Sequence, residues 1–250
     1  MRYIEQINIE NMLALWRSYG ANEIPLSNNQ LFSSLNWPNK IWVNDFDSLR
    51  ESDRMKTLVI NFLATHPQHK LVTWSKNEHR FASSLELASD AKIKHNSSLI
   101  GMSLDISGQA ENDRVQQTPL IDSHLVTQQD IKFWCNLCGK GFGYTLDSLA
   151  ALSANKHWYN NLYWYSVNDR PVGTALTTSS RDVMGFHQIT VLPEWRGKGI
   201  ALAIVNQLIN CAIFSGAHRA VLQASPMGLS LYKKLGFSED FELKNYGYEV

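Results

Sequence analysis

The chain has 250 residues, 44% of them hydrophobic and 18% charged, which suits one large domain or two smaller ones and excludes a disordered chain. Lys and Arg number 23, as do Asp and Glu, so the net charge is zero and gives no support to a nucleic-acid or anionic-membrane partner. No apolar run approaches the roughly 18–20 residues that cross a bilayer, residues 1–10 are too polar for a signal peptide, and three cysteines are few and odd in number; a reducing, cytoplasmic setting with free thiols is expected.

In chain order, residues 4–19 are helical in pattern, with Met12, Leu15 and Trp16 on one side. Strands are expected at 40–46 and 70–74, helices at 55–65 and 81–88, and one or two strands over 98–106. The polar stretch 107–118, followed by Pro119, reads as a linker. It divides an accessory α/β domain, 1–117, from a second domain, 118–250.

The second half opens with a short strand at 123–126. Thr127, with Asp130 three residues on, caps a helix whose apolar stripe is Ile131, Trp134, Cys135 and Cys138. A second helix starts near Thr145. Residues 162–167 and 172–178 are strands joined by the turn Asn168-Asp169-Arg170-Pro171. A strand follows at 184–191, a loop at 193–198, and a helix at 199–214 with Gly216 as its stop. A strand at 219–224, a helix opened by Pro226 and ended by Gly236, and two strands at 241–243 and 246–250 complete the chain. The fold class is a mixed α/β sheet.

Cys135 and Cys138 form a CxxC pair, but no second ligand pair lies at zinc spacing, and the pair falls late in a helical pattern. They read as structural thiols, and no metal is expected. Gly139 to Gly143 mimics a phosphate loop but follows a helix rather than a strand.

The stretch 189–203, ITVLPEWRGKGIALA, carries the chemistry. A strand ends at Val191, a glycine-rich loop follows, and a helix begins at once. First-turn N–H groups lack intrahelical partners and sit at the positive end of the helix dipole. Glycines clear the approach of an anion to the backbone. The backbone of Gly197, Lys198, Gly199, Ile200 and Ala201 is therefore a candidate pyrophosphate seat, with Arg196 and Lys198 adding positive charge. The P-loop pattern and the dinucleotide fingerprint are both absent.

RGKGIA resembles the Arg/Gln-x-x-Gly-x-Gly/Ala signature of the GNAT superfamily of N-acetyltransferases. The segment SLYKKLGF, residues 230–237, whose Tyr232 lies about thirty-six residues beyond Arg196, resembles that superfamily's LYxKxGF segment, and the element order agrees over about 120–250. The N-terminal half is similar, more weakly, to the degenerate first domain of tandem members, through Trp37-Pro38-Asn39-Lys40-Ile41-Trp42 and Gly101-Met102-Ser103-Leu104-Asp105. It lacks the loop, so no second coenzyme A site is expected there.

The resemblance implies acetyl-CoA as donor, no metal, and direct attack by an amine in a ternary complex. It implies that the backbone of the strand end, Ile189, Thr190 and Val191, meets the pantetheine arm. Tyr232 matches the tyrosine that protonates the departing thiolate; Leu231 and Leu235 are expected as the buried pair, leaving Tyr232 about 100° round the helix toward a cleft. His187, on the face of Ile189 and Val191 by period two, is either the base, directly or through water, or a structural histidine. Ser225 stands where many members have asparagine against the coenzyme. The resemblance implies a small-molecule or peptide amine acceptor for a monomer or homodimer. A non-catalytic acyl-CoA sensor on the same scaffold is the alternative.

Overall fold

In a computed structural model, the structure describes residues 2–25, 31–43, 53–74, 76–90, 92–109 and 119–249, the side chains of 76–78 aside. The expected boundary at 117/118 lies outside the described residues. So do most of the expected linker and residues 44–46 of one expected strand.

Helix α1 (Tyr3–Ser18) leads into short strands β1 (Ala21–Glu23) and β2 (Leu31–Ser34), which the sequence reading did not anticipate. There follow β3 (Lys40–Val43), α2 (Asp53–Thr65), β4 (Lys70–Thr73), α3 (Lys76–Ala88) and one long strand, β5 (Ile93–Asp105). The second half runs β6 (Asp122–Leu125), α4 (Ile131–Phe142), α5 (Ser148–Asn155), β7 (Asn160–Val167), β8 (Arg170–Ser180), β9 (Val183–Val191), α6 (Ile200–Phe214), β10 (Arg219–Ala224), α7 (Leu229–Lys234) and β11 (Ser238–Tyr248).

Local chemistry explains several boundaries. Thr127 and Asp130 form the expected reciprocal cap before α4. Asp147, not Thr145, starts α5, because its carboxylate accepts from the amides of Leu149 and Ala150. Asn168 and Asp169 both take positive φ, as a tight two-residue hairpin between β7 and β8 requires. Gly139 and Gly141 belong to α4 itself; only Gly143 leaves it, with φ 83°.

The described strands lie in one sheet, in the order β1-β2-β3-β4-β11-β5-β10-β9-β8-β7-β6. The halves interleave. β5, from the first half, lies between β10 and β11 of the second and is antiparallel to both. β11 in turn pairs with β4. Flanked on both sides, β11 remains one strand where two were expected, because Lys244 and Asn245 pair in register with Ser98 and Ser97 on β5 and with Thr73 and Val72 on β4.

Two core layers cover the middle of the sheet. One packs α6 against Met184, Phe186, Val191, Ala220 and Leu222. The other packs α1, α4 and α5 against Leu162, Leu176 and Leu243. Each layer buries many large apolar side chains, at about 1.5–3 kcal/mol apiece before the entropic cost of ordering them.

Candidate functional site

β9 and β10 run parallel but pair only at their starts, Val183–Gly185 against Arg219–Val221. Beyond Gly185 and Val221 the ladder stops and the strands part. A cavity of about 740 Å³ opens there, lined by Phe186, His187, Gln188 and Ile189 on one arm and by Leu222, Gln223 and Ser225 on the other, with Tyr232 beside them.

β9 is itself distorted. Gln188 takes φ 50°, and the register with β8 gains a residue on the β9 side between His187 and Thr190. This bulge overturns the period-two expectation. His187 pairs with Leu176 and Thr190 with Thr174, so both face α1 and α4, whereas Val191 faces α6. The Thr174 hydroxyl donates to the Gln188 carbonyl at 3.0 Å and steadies the bulge.

His187 is buried, and burial pulls its imidazole down to about 4. Its tautomer follows from its partner. Asn11 in α1 faces the Thr178 carbonyl at 2.8 Å, which can only accept, so the Asn11 amide nitrogen lies there. Asn11 Oδ1 then faces His187, and His187 Nε2–H donates to it at 3.1 Å. Nδ1 then carries the lone pair, and His187 lines the cavity. No sequence signal marked Asn11, a polar residue amid a helix's apolar pattern.

Tyr232 is also more buried than expected. It, rather than Leu231, packs inward with Leu235, in an edge contact with Phe237 at 5.8 Å, because α7 turns that face onto the α6-side core. Burial raises its phenol to about 12. Ser225 is exposed and lines the cavity, and its carbonyl accepts from the amides of Gly228 and Leu229.

The loop after β9 stands at the end of that arm. Gly197 and Gly199 both hold left-handed backbone, at φ 74° and 78°, and a Cβ on Gly197 would meet nothing within 4 Å. The first closing bond of α6 runs from Ala203 N–H to the Gly199 carbonyl, so the amides of Ile200, Ala201 and Leu202 precede any intrahelical partner. These amides and the open face of Gly197 fit an anion. Lys198 lies 4.9 Å over the Trp195 ring. Arg196 serves the loop instead: Nε donates to the Val191 carbonyl at 3.2 Å and Nη2 to the Gly141 carbonyl at 2.6 Å. It thereby ties β9, the loop and α4 together. Gly141 has no side chain because a Cβ there would collide with Thr190.

The structure therefore brings His187, Ile189, Ser225 and Tyr232 to one cavity, while 196–201 follow the end of β9 outside its lining. The side chains of Thr190 and Val191 are buried in opposite core layers. Among the aromatic residues, Tyr144 lines the cavity, Trp158 is exposed, and Trp164 stacks on His124 at 3.8 Å. Burial raises the Cys135 and Cys138 thiols to about 11 and 12, which leaves them unreactive at neutral pH. Among the described residues, no group of three His, Cys, Asp or Glu could hold a metal ion, and no helix is long and apolar enough to cross a membrane.

Residues 158–239 match the family described as "Acetyltransferase (GNAT) domain". No curated protein matches the chain. Among solved structures, a GCN5-related N-acetyltransferase from Kribbella flavida superposes with a TM-score of 0.68 at 12% identity, over all of this chain and 97% of that one. One from Sphaerobacter thermophilus reaches 0.62 at 13%, covering 88% and 79%, and a putative acetyltransferase from Novosphingobium aromaticivorans 0.56 at 13%, covering 97% of each. At such identities the likeness is one of fold.

Proposed function

We propose that this chain, whose residues 158–239 match a GNAT acetyltransferase domain, transfers an acetyl group from acetyl-CoA to a primary amine, by direct attack while both are bound. The observation that carries this reading is the parting of β9 and β10 beside the twin left-handed glycines opening α6. A split strand pair can take an extended arm, and the amides of 197–202 can take its diphosphate. When bound, acetyl-CoA supplies an activated thioester carbonyl.

The chain's own groups have distinct tasks. The Tyr232 phenol, raised to about 12, stays protonated and offers a hydrogen bond to the leaving sulfur. Full proton transfer to a thiolate of pKa about 8.5 would be uphill by about 3.5 units, or ~5 kcal/mol, so hydrogen bonding rather than outright donation is its role. His187, neutral through the physiological range, is a weak base. Its Nδ1 is suited to orienting the amine or a water that takes the proton, and Asn11 fixes the ring for that task.

The test is calorimetric titration of coenzyme A and acetyl-CoA into wild type, Gly197→Asn and Gly197→Asp. Both substituted residues tolerate left-handed backbone, and the site has open space, so they differ chiefly by one negative charge. Asp is expected to weaken binding at least about tenfold, ~1.4 kcal/mol, relative to Asn. Equal affinities would remove the diphosphate seat. Thiol release measured alongside separates the enzyme from an acyl-CoA sensor, which would bind without turnover.

A further inference from the structure

Past the split, the cavity wall is supplied by the N-terminal half, including Trp37, Asn39, Lys40, Gln68 and Lys70. Two of these are lysines, and none of the described residues lining the cavity is Asp or Glu. Lys40 and Lys70 are register partners on the parallel strands β3 and β4, so two like charges stand side by side. Like charges set opposite one another on a sheet are destabilising. The Lys40 ammonium donates to Asn245 Oδ1 at 2.7 Å, a neutral acceptor that occupies one of its three N–H bonds. Neither lysine enters an ion pair among the described residues. Gly247, the register partner of Lys70 on β11, leaves room for the Lys70 ammonium, which a Cβ would obstruct.

A half-buried cation without a counter-charge costs stability, and the cost is recovered when an anion arrives. The coenzyme's diphosphate is expected at the loop 196–201, which is not part of this lining. We propose that Lys40 and Lys70 bind an anionic group, carboxylate or phosphate, on the acceptor, so that the acceptor is an anionic primary amine rather than a polyamine or a neutral amine. The acceptor's role rests on the acyl-transfer reading above; the anion site rests on the cavity alone.

The experiment uses matched pairs: amino acids against their amides, and O-phosphoethanolamine against ethanolamine. Thiol release from acetyl-CoA is read for wild type, Lys40→Met and Lys70→Met, together with coenzyme A affinity and the melting temperature of each protein with the same amines alone. Wild type is expected to show a KM at least about tenfold lower for the anionic member of a pair, and each variant to erase the difference with coenzyme A affinity unchanged. The amino-acid and phosphate arms show which anion is preferred. Neutral members serving as well as anionic ones would overturn the proposal, as would a variant whose loss falls on coenzyme A binding instead. If no amine releases thiol, acyl transfer fails as a reading. In that case, anions that raise the melting temperature of wild type but not of the variants uphold the site, and anions that raise neither overturn it. Two variants on separate strands keep the test open should one fold poorly.

Discussion

His187 in β9 donates its Nε2–H to Asn11 Oδ1 in α1 at 3.1 Å, so the first helix of the chain orients a ring in the split of the second half. Asn11 also donates to the Thr178 carbonyl and the Ser180 hydroxyl, at 2.8 and 3.0 Å. Asn11→Ala removes three bonds and strands a buried imidazole, and is expected to cost about 2–4 kcal/mol in urea denaturation. Gly185 is a glycine because a Cβ there would collide with Asn11 Oδ1 and crowd the His187 ring. Gly185→Ala is therefore expected to destabilise by about 1–3 kcal/mol, and by less when Asn11 is already alanine. Strict additivity would show that the two do not compete for space.

Burial lowers the His187 pKa to about 4, against about 6.5 in the unfolded chain. The unfolded state then binds more protons between those values, so stability rises with pH across that window. The contribution is complete above pH about 6.5 and is lost progressively as pH falls through 4, amounting to roughly 3 kcal/mol at most. Melting temperatures from pH 7 to pH 4 should fall more steeply for wild type than for His187→Gln. Parallel curves would mean the histidine is not held neutral.

Tyr232→Phe removes a hydroxyl and keeps the packing against Phe237. Coenzyme A affinity and melting temperature are expected to stay near wild type, while the turnover rate falls roughly 10²-fold. A fall in affinity with turnover intact would assign the phenol to binding instead.

Arg196 bridges the carbonyls of Val191 and Gly141 through a planar fork. Arg196→Met is expected to cost about 1–3 kcal/mol and to weaken coenzyme A, because the loop loses its anchor to α4. Arg196→Lys should recover little, since one ammonium does not reproduce the two-pronged geometry. A variant with normal stability and weak coenzyme binding would instead mean that the guanidinium itself meets phosphate.

Much of this architecture is written locally. The Thr127–Asp130 cap, the Asn168-Asp169 turn, the apolar stripe of α6 and the Gly197–Gly199 loop each depend on residues a few positions apart, whose conformational demands survive in isolation. The elements of the second half, and the loop that opens α6, were legible for that reason.

What the chain alone did not disclose depends on partners far away in sequence. The bulge at Gln188 has no glycine to announce it; it exists because β8 pairs with β9 on both sides of one extra residue, and it reverses which face His187 takes. The place of β5 between β10 and β11, the reach of Asn11 to His187, and the meeting of Lys40 and Lys70 at the cavity wall are likewise settled only when the two halves share a sheet. Sequence patterns fix periodicity and local dihedrals, whereas register and long-range proximity are selected by the packing of the whole.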